Sequence, residues 1–305
     1  MANIQFHKFK TISEFHKFRG LPKPEHPLIS VINLADVKGM PEGGNSILLD
    51  FYSIALKRNF NAKIRYGQQA YDFNEGVMFF ISPGQIFHIT VEKHTSLSQS
   101  GWMLLVHPDF LFNTSLYKTI KQCEYFDYSV HEALFLSEKE ENTIAGIMHN
   151  IQNEYHSNID KFSHNVMLAQ LELLLTYSDR YYHRQFLTRK ISNHTILDKL
   201  ENILSAYFAN ESLTKNGLPT VQYIADNLNM SPSYLSGLLK VLTGQSTQQH
   251  IHDKLIEAAK EKLSVTNLSV SEIAYTLGFE HPQSFSKLFK SKTKFSPLQF
   301  RASFN

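Results

Sequence analysis

Two short sets of polar residues share a spacing that lets them act together. One is Ser233, Ser236, Gly237 and Lys240; the other is Gln283, Ser284, Lys287 and Lys290, with Ser286 among them. Within each set the members lie one, three or four residues apart, which puts them on one face of a helix. The residues between are apolar: Leu235, Leu238, Leu239 and Leu242 in one stretch, Phe285, Leu288 and Phe289 in the other. A helix held by that apolar stripe turns hydroxyl, amide and ammonium groups outwards. Gln, Ser and Lys can hydrogen-bond base edges in a DNA major groove, and Lys can also meet phosphates. Two ordinary helical hairpins with solvated outer faces would show the same two-sided pattern. What surrounds the two sets must decide between these readings.

Both sets sit in the same place within a repeated unit. Val221, Ile224, Ala225 and Leu228 recur 49 positions later as Val270, Ile273, Ala274 and Leu277. The second turn is one residue longer, after which the offset is 50: Pro232, Leu235, Ser236, Leu239 and Lys240 return as Pro282, Phe285, Ser286, Phe289 and Lys290. Each unit reads as helix, turn, helix. Thr220 and Ser269 are N-cap residues, and Ser269 with Glu272 makes a capping box. Asn229 and Gly278 stand just past the first helix, where a left-handed backbone is needed. Ser231 followed by Pro232 opens the next helix. Duplication, turn chemistry and a basic tail favour the groove-reading arrangement over plain hairpins. In that tail, His281 to Asn305, there are four lysines, one arginine and no acid.

The segment between the units must position the two sets. In "STQQHIHDKLIEAAKEKL", Ser246 and Gln249 form a capping box, and Ile251, Leu255, Ala259 and Leu263 follow four apart. A helix of about 16 residues there is about 24 Å long. With the width of the flanking helices added, two reading helices would sit about one DNA turn apart, about 34 Å.

From about Thr195 to Arg301 the chain resembles the AraC-type DNA-binding domain of bacterial transcription regulators, the AraC/XylS family. The resemblance rests on "IADNLNMSPSYLSGLLKVLTG" and "IAYTLGFEHPQSFSKLFKSKTKFSPLQFR". It implies base-facing positions at Ser233, Ser236 and Gly237 in the first unit and at Gln283, Ser284 and Lys287 in the second. Gly237 departs from the long polar or basic side chain the family often has, so few base contacts are expected from the first reading helix. Lys294 stands where the family usually has Gly, which costs up to about 1 kcal/mol if the left-handed conformation is kept.

The first 125 or so residues read as mostly β. "PLISVINL", "SILLDFYSIAL", "AKIRYG", "GVMFFISPGQIFHITV" and "GWMLLV" are short, rich in Ile, Val, Phe and Tyr, and punctuated by Gly and Pro. Several are apolar almost throughout, so strands covered on both faces are expected. The period then becomes helical. Ser137 with Glu140 makes a capping box ahead of Ile144, Ile147, Met148, Ile151 and Tyr155, and a second helix spans roughly Lys161 to Phe186. Its Leu168, Leu171 and Leu175 either meet a second subunit or pack within one. "GVMFFISPGQ" and "GWMLLVHPDFL" resemble the cupin-like sensor domain of the same regulators. That implies a small-molecule effector at a barrel mouth and a homodimer held by the following helices.

Other chemistry finds little support. Cys123 is the only cysteine, which excludes an intrachain disulfide, fits a reducing cytoplasm and carries no nucleophile signature. Fifteen histidines invite a metal, but the one His-x-His pair, His250 and His252, falls in the helix between the units, where i and i+2 face apart. His88, His94 and His107 are scattered. There is no phosphate loop, GxSxG elbow or zinc-cysteine set. No apolar run is long enough to span a bilayer, and the amino terminus lacks a secretion signal. Composition, 42% hydrophobic and 19% charged with a net charge of +2, is that of an ordinary globular protein.

The expectation is therefore an α+β chain in four parts. Residues 1–125 form a cupin-like β-barrel or sandwich, 126–188 a helical dimerisation segment, 189–194 a linker, and 195–305 an all-α domain with two helix-turn-helix units joined by a helix. It is expected to be a cytoplasmic, ligand-responsive transcription activator that is not an enzyme, with double-stranded DNA and RNA polymerase as partners and neither a metal nor another cofactor. Two alternatives remain: a DNA-binding regulator with no small ligand, and a metal-dependent cupin enzyme with an accessory DNA-binding module.

Overall fold

Most of the apolar segments of the first half become strands that divide between two sheets. The computed structural model describes residues 5–37, 43–58, 65–66, 69–70, 76–91, 100–129, 132–157, 160–188, 190–209, 213 and 216–303. The chain separates into two units, Met1–Gln185 and Phe186–Asn305.

In the first unit, β1 (Gln5–Phe9), β3 (Gly43–Leu49) and β8 (Ile86–Val91) form a sheet in the order β1-β3-β8. β2 (Ile29–Asn33), β4 (Tyr52–Arg58), β7 (Val77–Ile81), β9 (Ser100–Val106) and β10 (Leu134–Phe135) form a second, in the order β10-β7-β4-β9-β2. β5 (Arg65–Tyr66) and β6 (Gln69–Ala70) pair with each other. The segment "SILLDFYSIAL" breaks at Asp50 and Phe51, so that β3 enters one sheet and β4 the other. At that corner the Asp50 amide donates to the Phe9 carbonyl at 3.0 Å, and Lys8 pairs with the Asp50 carboxylate at 3.6 Å. Phe9, Ile32, Ile47, Leu49, Phe51 and Leu105 meet in one cluster, joined by Ile12 and Phe15 of α1 (Ile12–Phe18). α3 (Glu138–Tyr155) lies along β2 and β9. β2 from Ile29 to Ile32 and β4 from Tyr52 to Leu56 are buried on both faces, which accounts for their adjacent apolar residues.

Ser137 and Glu140 make the expected capping box, and α3 buries Ile144, Ile147, Met148, Ile151 and Tyr155. After α2 (Leu116–Thr119) and α3 comes α4, Ser163–Thr188. Leu171 and Leu175, two of the three residues that could have met a second subunit, are buried within this chain; Leu168 is half-buried. The apolar groups that α4 and the residue before it leave exposed are Phe162, Val166, Leu173 and Leu187.

The second unit is helical. α5 runs from Lys190 to Ala209, so the backbone of 190–194, read as linker, is helical; Arg189 lies outside the described residues. "LTRKISNHT" holds no Gly or Pro to stop a helix. Two helix pairs follow: α6 (Val221–Leu228) with α7 (Pro232–Thr243), and α9 (Val270–Thr276) with α10 (Pro282–Thr293). Between them runs α8 (Thr247–Val265), and α11 (Pro297–Ala302) closes the chain. The capping boxes of Ser246–Gln249 and Ser269–Glu272 are present, Ser231 accepts from the Tyr234 amide, and Asn229 and Gly278 adopt φ of 54° and 82°. Gly278 also lies backbone to backbone with its surroundings: a Cβ there would stand 2.8 Å from the Leu213 carbonyl oxygen and 3.0 Å from Gly217 Cα.

Each helix pair has its own core, and α8 belongs to both. Leu200 and Leu204 of α5, Ile224 and Ala225 of α6, and Leu235 and Leu239 of α7 pack on Ile251. Ile273, Ala274 and Leu277 pack with Phe285 and Phe289 on Leu255, Ile256, Ala259 and Leu263. At 19 residues α8 is longer than the sequence suggested, about 28 Å at 1.5 Å per residue.

Candidate nucleic-acid interface

α10 is two-sided, as its sequence dictates. Phe285 and Phe289 have no exposed surface, Leu288 is half-buried, and the rings of Phe279 and Phe300 flank them at 5.5 and 5.4 Å between centroids. The opposite face presents Gln283, Ser284, Lys287 and Lys290, all exposed. No acid among the described residues engages Lys287 or Lys290. This face therefore carries amide and hydroxyl groups that can read base edges and ammonium groups free to meet phosphates.

Its counterpart on α7 is less open. Lys240 is exposed, Ser233 and Ser236 are half-buried, and Gly237 is buried. Ser236 Oγ lies 3.0 Å from Oγ1 of Thr247, a wholly buried residue at the start of α8. The first helix pair thus offers fewer free polar groups than the second.

The lysines after Lys290 are not equivalent to it. Lys292 Nζ donates to Asp253 Oδ1 of α8 at 2.7 Å, while Gln245 Nε2, from the turn after α7, donates to Asp253 Oδ2 at 2.8 Å. Burial raises the Asp253 carboxyl, but the bonds and charge of Lys292 and the Gln245 bond outweigh it and hold the group below the ordinary carboxylate range. The Asp253 contacts were not foreseen. An aspartate at the edge of an apolar repeat carries no signal in sequence, since its partners lie eight and thirty-nine residues away, neither at the spacing of helix neighbours. Arg301 ties the far end of α8, donating to the carbonyls of Leu263 and Leu268 at 3.3 and 2.6 Å.

Among the described residues, no group of three or more His, Cys, Asp or Glu side chains could hold a metal ion. His250 Nε2 is 2.9 Å from Thr243 Oγ1, and His252 Nε2 accepts from Gln248 Nε2 at 2.9 Å. His107 Nδ1 accepts from the Asp109 amide; His94 and the His88 side chain lie outside the described residues. Burial pushes the Cys123 thiol up to about 11, against the lowered value a nucleophilic thiolate requires. In β4 alternation places Lys57 on the same sheet face as Ser53 and Ala55, and burial, reinforced by the charge of Arg19, pushes its ammonium down to about 8. A recess of about 390 Å³ lies beside Tyr52, Ser82, Tyr117, Cys123 and Phe126. No helix among the described residues is long and apolar enough to cross a membrane.

The family match falls within the second unit. Residues 224–303 match the family described as "Helix-turn-helix domain". The chain is 37% identical over 84 residues to the raffinose operon transcriptional regulatory protein of Pediococcus pentosaceus, covering 28% of this chain and 30% of that one. It is 35% identical over 79 residues to the arabinose operon regulatory protein of Escherichia coli, covering 26% of this chain and 27% of that one. Among solved structures, the C-terminal domain of the two-component response regulator yesN from Fusobacterium nucleatum is 29% identical, with a TM-score of 0.30, covering 33% of this chain and 93% of that one. The second unit therefore contains a helix-turn-helix domain, and the two relatives are named as operon regulatory proteins. The matched stretch spans less than a third of either regulator.

Proposed function

We propose that the chain is a sequence-specific, DNA-binding transcription regulator of the AraC type. In this reading α6–α7 and α9–α10 are two helix-turn-helix units whose second helices enter successive major grooves on one side of a duplex. The observation that carries it is the outer face of α10, where Gln283, Ser284, Lys287 and Lys290 stand exposed opposite buried Phe285 and Phe289. Ser233, Ser236 and Lys240 add the contacts of the first unit, and Gly237 allows close approach rather than a base contact.

The first unit is a cupin-like sandwich in this account, and the regulator is a cytoplasmic homodimer. The dimer contact is drawn through the exposed apolar groups of α4, Val166 and Leu173, rather than through Leu171 and Leu175, which already have partners in the chain. A small-molecule effector bound by the first unit would change how the DNA-binding units are presented, and with it the recruitment of RNA polymerase. One observation favours a second reading, in which the first unit serves assembly alone: Phe9, Phe15, Phe51 and their aliphatic neighbours fill the space between the sheets around the Asp50 corner.

The DNA reading is tested with the full chain and duplexes enriched from a random-sequence pool. Affinity for an enriched duplex should exceed that for a scrambled one and fall steeply between about 50 and 200 mM salt, because lysine–phosphate pairing releases counterions. Equal affinity for both duplexes, or binding indifferent to salt, would contradict it.

A further inference from the structure

We propose that Asp253 is a positioning residue that sets the separation and phase of the two reading helices. The inference rests on the DNA-binding reading and adds to it a device for measuring distance along the duplex.

Each helix pair is attached to α8 in its own zone. The first pair meets α8 at Ile251 and through the bonds of Ser236 to Thr247 and Thr243 to His250, and the second meets it from Leu255 to Leu263. Apolar packing is non-directional, and neither of those two bonds reaches from one pair to the other. Asp253 lies between the two attachment zones, and its two carboxylate oxygens hold different pairs. Oδ2 takes the Gln245 side-chain amide, two residues beyond the end of α7. Oδ1 takes the Lys292 ammonium, in the last turn of α10. Directional, charge-assisted bonds fix what the apolar contacts leave loose.

Two features set this bridge apart from surface decoration. In the register of the repeat, the positions matching Gln245 and Lys292 are Phe295 and Leu242, neither of which could make the same bonds. The bridge is therefore not a by-product of duplication, but a contact made once, between the halves. It also withdraws Lys292 from the basic face: while Lys287 and Lys290 have no acidic partner among the described residues, Lys292 spends its charge on α8. Lys292 should act on spacing and not on phosphate.

The test uses the full chain and the duplex that the natural protein enriches from a random pool. Variants of that duplex have one or two base pairs added or removed between the two protected subsites, and carry each subsite alone. The natural protein should prefer one separation. Asp253→Ala should reduce that preference by about three- to tenfold, while its affinity for either isolated subsite and its melting temperature stay close to those of the natural protein. Lys292→Met should do the same without lowering the salt slope on the isolated second subsite. The charge-reversed pair Asp253→Lys with Lys292→Glu should restore part of the preference. An Asp253→Ala protein as strict about separation as the natural one overturns the proposal and leaves DNA binding intact. So does a natural protein that binds but prefers no separation, whereas a natural protein that binds no duplex overturns the DNA reading itself.

Discussion

Lys294 ends α10 in the same left-handed conformation that Gly244 adopts fifty residues earlier at the end of α7. Their φ angles are 68° and 75°, and each amide donates to the carbonyl four residues back, Lys290 and Lys240, at 2.9 and 3.0 Å. The repeat keeps its backbone where it has lost its glycine. A lysine in that conformation carries a steric cost that glycine does not, so Lys294→Gly should stabilise the second unit by up to about 1 kcal/mol. Urea unfolding measures this; an unchanged or lower midpoint would show the lysine side chain compensating, through its contact with the Ser291 carbonyl at 3.4 Å.

Lys287 is the most informative single residue of the reading face. Lys287→Ala should weaken binding to the enriched duplex by about 1–3 kcal/mol and relax preference at one base position if the lysine reads a base. A uniform loss across sequences, with a shallower salt slope, would make it a phosphate contact instead. Titrations against a panel of single-base variants separate the two.

The outer stripe of α4 makes opposite predictions for neighbouring leucines. Leu173 is 42% exposed and Leu171 is fully buried. Leu173→Glu should convert a dimer to a folded monomer, read by sedimentation. Leu171→Glu should instead unfold the first unit, since it places an unpaired charge in the core. A Leu173→Glu protein that remains dimeric would move the subunit contact elsewhere.

Lys57 gives the first unit a pH signature. Its ammonium is pushed down to about 8 by burial and by Arg19, against an ordinary value of 10.5. Below pH 8 the lysine is protonated folded and unfolded, so the penalty of burying it is constant there. From pH 8 towards 10.5 the native state gives up the proton and the unfolded chain keeps it, so this group makes stability rise with pH. Lys57→Met should therefore stabilise the unit on the order of 1–3 kcal/mol at pH 7, with the advantage shrinking across pH 8 to 10.5. An advantage that is flat in pH would mean the gain comes from packing.

Much of this architecture could be read from the residues, and the limits have physical causes. The helix pairs were legible because caps and left-handed terminators are local: Ser231 before Pro232, Ser269 with Glu272, and Asn229 and Gly278 need only their neighbours. The outward set on α10 followed from period alone. On α7 the glycine at 237 already announced few base contacts, but period alone could not show that Ser236 meets Thr247, a contact eleven residues away. "SILLDFYSIAL" showed β character, but its division between two sheets depends on Phe9 and Lys8, some forty residues upstream. Leu171 and Leu175 were ambiguous for a related reason, since an apolar stripe does not say whether it faces its own subunit or another. α1 went unremarked although Thr11 and Glu14 carry a capping box, because the seven-residue helix is too short to show a period.

If two reading helices address one face of a duplex together, hydroxyl-radical footprinting of the full chain on an enriched duplex should show two protected stretches per chain. They should lie about one helical turn apart and on the same side of the DNA, with the stretch assigned to α10 lost in Lys287→Ala first. A single protected stretch no wider than one major groove, unchanged by substitution at Lys287, would contradict it.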